Sequence, residues 1–271
     1  TCKSPQQMFG ALSKTYYAEK MGLDPSKIFT VSIMPCTAKK YEADRVEMSS
    51  YGYKDVDAVL TTRELARMIK SASIDLANIE EEEFDEPFGI TTGAAVIFGA
   101  TGGVMEAAIR TVYELVTEKE LEKLDFTEVR GLEGIKEAKV DLNGISVKVA
   151  VAHGLSNAKK ILEMVKKGEA DYTFIEIMCC PGGCIGGGGQ PIGTTTKIKE
   201  ERIKGIYNAD KSMKIRKSHE NPAIKQLYKE FLGKPLGKIS HRLLHTTYSP
   251  RNQILDIDYV KYDSEVATTE E

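Results

Sequence analysis

The sequence predicts an α/β fold, because short apolar runs typical of buried strands alternate along the chain with segments of helical periodicity. Runs rich in β-branched and other apolar residues cover residues 29–34, 57–60 and 172–178. With 271 residues, the chain is long enough for one large domain or for two modest lobes with cores of their own.

Helices are predicted where apolar residues recur three or four positions apart. Ser4-Pro5 is a favourable start for the first helix. Thr62 is predicted to cap the second. The inner face of that second helix is predicted to carry Leu65, Met68 and Ile69. The predicted helices cover, in order, residues 5–21, a segment that begins at Thr62, and residues 105–121, 157–165, 223–231 and 239–244.

A hairpin is predicted in the middle of the chain. Strand-like residues 129–140 and 146–152 flank an Asn143-Gly144 pair, which is the strongest short hairpin signal in the sequence. Acidic residues 80–86 are predicted to form a solvated loop, and residues 89–103, dense in Gly, Ala and Thr, lead into the third helix.

Composition and charge exclude several classes of function. The chain has 37 basic and 40 acidic residues, a net charge of −3, which argues against a nucleic-acid partner. No apolar run approaches 18 residues, so we expect no membrane span. Five cysteines in a chain of this length do not resemble a secreted disulfide framework. Reduced thiols favour a cytoplasmic setting and leave a periplasmic one open.

The most informative segment is Cys179-Cys180-Pro181-Gly182-Gly183-Cys184, which is followed by Ile185 and a run of four glycines. Thiolates select iron–sulfur clusters or zinc, and glycines let the backbone approach a bulky inorganic group closely. Cys36 follows the first predicted strand, far away in sequence. Cysteines at the ends of buried strands predict a cluster held between two parts of the fold.

Two other interpretations of these cysteines are weaker. Structural zinc sites usually pair C-x2-C knuckles with further cysteines or histidines, whereas Cys180 and Cys184 are spaced C-x3-C with no histidine beside them. Cys179 and Cys180 could instead be small buried residues, as free cysteines often are. Core packing, however, would not favour so many adjacent glycines.

Several motifs, in order, resemble the catalytic domain of the iron-only hydrogenases over residues 1–248. Two of the family's three cysteine signatures are nearly complete, one around Cys36 and one around Cys180 and Cys184. Residues 249–271 form a polar tail outside the resemblance. The other matching motifs are Ser4-Pro5-Gln6-Gln7, Thr61-Thr62-Arg63-Glu64-Leu65, Phe98-Gly99-Ala100-Thr101-Gly102-Gly103 and Arg216-Lys217-Ser218-His219-Glu220-Asn221.

The resemblance implies the cofactor called the H-cluster, a 4Fe–4S cubane joined through one thiolate to a diiron unit that carries CO, cyanide and a dithiolate bridge. Cys36, Cys180 and Cys184 match three cubane ligands, and Cys184 matches the one that bridges to the diiron unit. The resemblance also implies two lobes with small mixed sheets flanked by helices, and an active site in the cleft between them.

Further residues match the pocket around the diiron unit. Lys39 matches the cation that hydrogen-bonds one cyanide, and Met34 and Met178 match methionines that wall the pocket. Glu42 and Glu176 could each anchor a loop or touch the cofactor. The remaining matches to the pocket are Ser4, Pro5, Gln6, Phe98 and Gly99.

The family's first signature, a pair of adjacent cysteines, has no counterpart in this sequence. We therefore expect a fragment that is inactive alone and depends on an upstream segment or subunit for a fourth cubane ligand and a proton donor. Cys2 lacks the context of that signature and is expected to be a small buried residue. Cys179 is expected to be a filler beside the true ligand.

The function implied by the resemblance is the reversible oxidation of H2 to protons and electrons, coupled to ferredoxin or a similar electron carrier. Two alternatives share some of the motifs. Hydrogenase-like proteins of cytosolic iron–sulfur assembly keep the cubane cysteines without the diiron unit, and sensory homologues bind H2 but turn over slowly. The motifs that begin at Ser4 and at Phe98 follow the enzyme pattern.

Overall fold

The computed structural model describes residues 1–142 and 144–249. Its α-helices are numbered in chain order. They are α1 (Pro5–Leu12), α2 (Ala18–Met21), α3 (Ala38–Ala43), α4 (Thr62–Ser71), α5 (Gly93–Val96), α6 (Gly103–Thr117), α7 (Leu155–Lys166), α8 (Thr196–Ser212), α9 (Pro222–Leu227) and α10 (Lys238–Leu244). A π-helical stretch, Ser13–Tyr17, joins α1 to α2, so the predicted helix over residues 5–21 is continuous.

The strands form three small sheets within the described residues. A parallel pair, β1 and β4, makes the first sheet, and a short antiparallel pair, β2 and β3, makes the second. The third sheet has the order β5-β6-β7, antiparallel between β5 and β6 and parallel between β6 and β7. The strands are β1 (Val31–Met34), β2 (Ser49–Ser50), β3 (Tyr53–Lys54), β4 (Ala58–Thr61), β5 (Ile135–Leu142), β6 (Ile145–His153) and β7 (Phe174–Met178).

The three-stranded sheet is packed on both faces, and this divides the side chains of β6. Val149 and Val151 face α6, where they join a core cluster with Met105. Ala150 and Ala152 point to the opposite face and pack against Ile161 of α7. This alternation follows from the two-residue period of a strand. The predicted α/β class, with small mixed sheets and flanking helices, is confirmed.

The predicted hairpin is present as β5 and β6, which pair from Ile135 with Ala152 to Leu142 with Ile145. Asn143 itself lies outside the described residues. The predicted strand over residues 129–140 starts six residues too early. Val129 ends a short 3-10 turn, and Gly131, at φ 102°, bends the chain before the strand begins.

Three details of the predicted helices are wrong. Thr61, not Thr62, caps α4, and it forms a capping box in which Thr61 N–H donates to Glu64 Oε2 at 2.7 Å. Met68 is 61% exposed instead of lying on an inner face. The helix predicted over residues 105–121 is α6, and it ends at Thr117 because Glu118 takes a left-handed φ of 54°.

A buried ion network fixes α6 to α8. Arg110 is fully buried and donates to both Glu106 and Asp210, at 2.7 and 2.8 Å. Such fully paired charges tolerate burial, whereas removing one partner would leave an unpaired buried charge. The network holds the helix whose N-terminal end lies beside the predicted site.

Glu114, near the end of α6, ties the helix to the segment before α9. Burial raises its pKa, but hydrogen bonds from the Leu121 amide, from Lys217 and from His219 outweigh this and lower the pKa to about 2. The Lys217 ammonium lies 2.6 Å from Glu114 Oε1, and His219 Nε2 lies 2.7 Å from Oε2.

None of the helices in the described part of the chain combines the length and the apolar composition that a membrane span requires.

Candidate metal centre

Cys180 and Cys184 lie in a glycine-rich loop that begins where β7 ends at Met178. Gly182 and Gly183 have φ of 89° and 93°, which side chains other than hydrogen rarely allow. Gly183 N–H donates to Cys180 O at 2.9 Å, so the two cysteines stand at either end of a tight turn. Both thiols are half-buried.

Cys36 lies against the same loop, although it follows a strand of a different sheet. Gly189 N–H donates to Pro35 O at 3.0 Å. A Cβ on Gly187 would stand only 2.0 Å from the same carbonyl oxygen, so the two backbones meet where only glycine fits. The structure thus brings together the three cysteines that the sequence singled out as metal ligands.

The three thiols are close enough to affect one another's ionisation. Burial raises the pKa of Cys184, and the neighbouring Cys36 and Cys180 raise it further. The pKa of Cys180 is raised by burial and then by Cys179 and Cys36. Neighbouring thiolates repel one another unless a cation neutralises them. The donor set therefore fits a thiophilic metal group.

A second cluster of predicted site residues is organised by Glu42, on α3. One oxygen, Glu42 Oε2, accepts from Ser4 Oγ at 2.7 Å and from Lys39 Nζ at 2.8 Å. Gln6 Nε2 donates to Lys39 O at 3.2 Å and lies 3.4 Å from the same carboxylate oxygen. Ser4, Gln6 and Lys39 are thus brought together by a carboxylate whose role the sequence left open.

A cavity of about 550 Å³ opens beside Cys36 and the Glu42 cluster. Its wall contains Cys36 from the thiol cluster, and Lys39 and Glu42 from the polar cluster. Arg45 and Tyr248 complete the outer side, where the guanidinium lies 4.5 Å from the centre of the Tyr248 ring. The cavity offers a bound group the Cys36 thiol together with the Lys39 ammonium and the Glu42 carboxylate.

The apolar residues predicted to wall the pocket lie only partly beside the cysteine segments. Met34 and Met178 are half-buried at the ends of β1 and β7, directly before the cysteine segments. Phe98 is half-buried and packs against the core formed by Ala94 and Ile97. Gly99 lies against the cysteine turn, because its carbonyl oxygen would be 3.1 Å from a Cβ on Gly183.

Pro5 is exposed at the first position of α1. The prediction for Cys2 is wrong: the residue is exposed, and its Sγ lies 3.9 Å from His245 Nε2. A β-bridge pairs these two residues. Cys179 is also exposed.

Glu176 has an anchoring role that the sequence left undecided. Its carboxylate is 4% exposed and accepts from the amides of Gly102 and Met105 at 2.6 and 2.7 Å. Burial raises its pKa, against the effect of those amides and of Lys136. Sequence reasoning missed Lys136 entirely, and its only signal was a lysine inside an otherwise alternating strand.

Two family models match the chain. One is described as the iron only hydrogenase large subunit, C-terminal domain, and it matches residues 1–188. The other is described as the iron hydrogenase small subunit, and it matches residues 196–251. Together they span both cysteine segments and the C-terminal helices.

Curated relatives agree with these models. A subunit of an NADP-reducing hydrogenase from Solidesulfovibrio fructosivorans is 52% identical over 94% of this chain and 43% of its own length. Iron hydrogenase 1 of Clostridium pasteurianum is 49% identical, over 92% of this chain and 44% of its own length. The chain thus spans less than half the length of these relatives. A mouse cytosolic iron–sulfur assembly component is more distant, at 29% identity over 92% of this chain and 53% of its own length.

Solved structures show the same relationship. An apo FeFe hydrogenase from Chlamydomonas reinhardtii matches with a TM-score of 0.77 and 44% identity, covering 91% of this chain and 69% of that one. A structure described as revealing stepwise assembly of the hydrogenase H-cluster matches with the same TM-score at 45% identity, covering 91% of this chain and 69% of that one.

Proposed function

This chain belongs to the iron-only hydrogenase family, and on that basis we propose that it forms part of an enzyme that reversibly oxidises H2 to protons and electrons. The observation that carries the proposal is the meeting of Cys36 with the loop that holds Cys180 and Cys184. The identities of about 50% to named hydrogenases support it, because the assembly proteins are clearly more distant.

The cofactor that we propose is the H-cluster. Cys36, Cys180 and Cys184 would hold the 4Fe–4S cubane, with Cys184 also reaching the diiron unit. Iron–sulfur cubanes take four protein ligands, so we propose that a fourth thiolate reaches the site from sequence other than these three positions. The turn that contains Gly183 would direct backbone amides toward the cluster, which tunes its potential.

The diiron unit, when bound, supplies an open iron site and a bridging amine for heterolytic cleavage of H2. The protein's part is to bind, orient and shield it. We propose that Lys39 donates a hydrogen bond to one cyanide, because its half-buried ammonium has three donor hydrogens, of which Glu42 takes one. Glu42 would hold that ammonium in place.

The pocket's remaining side chains would shape and shield the diiron site. Ser4 and Gln6 would border it, because both contact Glu42. Met34, Met178 and Phe98 would exclude water from it, and Pro5 and Gly99 would shape the neighbouring backbone.

The electrons would pass to ferredoxin or a similar carrier, and the protons to solvent. An upstream segment or a separate subunit would supply the missing thiolate and the last proton donor. We propose a cytoplasmic location, although one relative, from Nitratidesulfovibrio vulgaris, is named as a periplasmic large subunit.

Infrared spectroscopy of the full-length protein after maturation tests this function. We expect CO and cyanide stretching bands that shift when CO gas is added, because only a diiron unit carries those ligands. A protein that holds a cubane and lacks these bands would belong with the non-enzymatic assembly proteins. Bands with slow H2 turnover would indicate a sensory homologue.

A further inference from the structure

Lys136 and Glu176 are buried charged residues that the proposed reaction does not use. They lie in one row across the three-stranded sheet, because Lys136 of β5 pairs with Val151 of β6, and Val151 pairs with Glu176 of β7. Residues paired in this way point to the same face, here the face covered by α6. All three are at most 5% exposed.

The two side chains hold opposite ends of one peptide group. Lys136 Nζ lies 3.5 Å from Thr101 O and donates to Gly131 O at 2.9 Å. Glu176 Oε1 accepts from Gly102 N–H at 2.6 Å. The carbonyl and the amide of the peptide between Thr101 and Gly102 are therefore each held by a charge of the complementary sign.

The same carboxylate also binds the start of α6. Its second oxygen accepts from Met105 N–H at 2.7 Å, in the first turn of the helix. Unpaired amides and the helix dipole both favour a negative charge at this position. Lys136 compensates the carboxylate, whose charge would otherwise be costly to bury.

The clamped peptide is in direct contact with the cysteine turn. Thr101 N–H donates to Gly182 O at 3.1 Å. A Cβ on Gly183 would lie 2.7 Å from Thr101 N, so the turn packs against this backbone without space between them. A shift of the Thr101 backbone must therefore shift the turn between Cys180 and Cys184.

We propose that Lys136 and Glu176 are positioning residues that clamp the Thr101–Gly102 peptide and so fix the spacing of the Cys180 and Cys184 thiols. The inference rests on the proposed function for the identity of the bound group. The clamp itself concerns residues of this chain, and it is measurable without any metal.

The test compares four variants of the full-length protein in its metal-free form. Glu176→Gln keeps the shape but leaves one acceptor oxygen for two amides, Lys136→Met removes the ammonium, and the third variant combines both changes. Lys14→Met is the matched control, because Lys14 is a buried lysine that lies 2.8 Å from a carboxylate, that of Asp57, and it lies in the π-helical stretch outside the three-stranded sheet. Amide hydrogen exchange at Gly102 and Met105 and the alkylation rate of the cysteines are measured for each.

We expect Glu176→Gln to raise amide exchange at Gly102 or Met105 about tenfold, which corresponds to about 1.4 kcal/mol, and to speed alkylation of Cys180 and Cys184. Lys136→Met should speed alkylation in the same direction. Lys14→Met should leave both rates unchanged. Wild-type rates in both single variants, or an equal increase in the control, would overturn the clamp.

The double variant separates positioning from charge compensation alone. Replacing both members of a buried pair often restores stability. If the pair only compensated charge, the double variant would regain both the melting temperature and the slow alkylation. The clamp predicts that the melting temperature recovers while alkylation stays fast.

Electron paramagnetic resonance of the reduced, reconstituted protein gives a second readout. We expect an altered cubane signal in Glu176→Gln, and a wild-type signal in Lys14→Met. A wild-type protein that binds no cluster would overturn the proposed function, while the metal-free rates would still decide the clamp. A wild-type signal in Glu176→Gln would contradict the clamp alone.

Discussion

Replacing Gly187 with alanine should separate Cys36 from the other two thiols. Gly187 has an ordinary φ of −64°, so the substitution adds no backbone strain and acts through space alone. The new Cβ would meet Pro35 O at 2.0 Å. A carbon and a carbonyl oxygen rarely approach closer than about 3.3 Å, so the two backbones must move apart by about 1.3 Å.

The energetic effect follows from this displacement. Moving Pro35 away weakens the hydrogen bond from Gly189 N–H, now 3.0 Å long, and such bonds contribute about 0.5–1.5 kcal/mol. Overpacking adds strain, and together the two effects are expected to destabilise the fold by about 1–3 kcal/mol. The protein should fold, with a melting temperature lowered by several degrees.

Iron and sulfide content after anaerobic reconstitution measures the result. A displacement of about 1.3 Å is more than half of an iron–sulfur bond, so Gly187→Ala should retain much less cluster than the wild type. Gly188→Ala is the matched control, because its Cβ would lie 3.3 Å from the nearest atom, Thr37 Oγ1. Equal cluster content in the two variants would refute the argument that Cys36 and the glycine loop share one site.

Three further predictions concern single residues. Cys184→Ser should abolish diiron incorporation, and H2 evolution at the wild-type rate would refute the assignment of the bridging ligand. Lys39→Asn should lower cofactor retention, measured as iron content. The melting curve followed by circular dichroism should change little, because partly exposed ion pairs contribute about 0–1 kcal/mol to stability. Loss of the folded structure in this variant would show instead that Lys39 has a structural role. Because the folded pKa of Glu114 is lowered from 4.5 to about 2, its contribution to stability is complete above pH 4.5 and is lost as the pH falls toward 2. Acid unfolding of Glu114→Gln should therefore be less steep over that range, and an unchanged curve would contradict the assigned contacts.

Local sequence signals predicted the site better than they predicted its surroundings. The loop around Cys184 was predictable because each of its features, thiols beside glycines, is local in the sequence. The meeting of this loop with Cys36 was predicted from the positions of the cysteines after buried strands and was also implied by the resemblance, and the backbone contacts agree. The role of Glu42 was left open, although it lies three residues from Lys39 and could have been inferred from helical spacing.

Long-range contacts and one unusual backbone conformation explain the errors. Cys2 was expected to be buried, but it is exposed and pairs with His245, near the other end of the described chain. No local sequence pattern predicts a contact between residues so far apart. The end of α6 depended on the left-handed φ of Glu118, a conformation that glutamate rarely adopts. Lys136 acquires its partners from residues 101, 131 and 176, so a lysine on a strand gave no sign of them.

A crystal structure of the full-length, reconstituted protein, with a map of iron anomalous scattering, tests the central claim most directly. We predict one compact iron peak within bonding distance of Cys36, Cys180 and Cys184 together. Iron bound at Cys2 or Cys179 instead, or three sulfurs too far apart to share a cluster, would contradict the account.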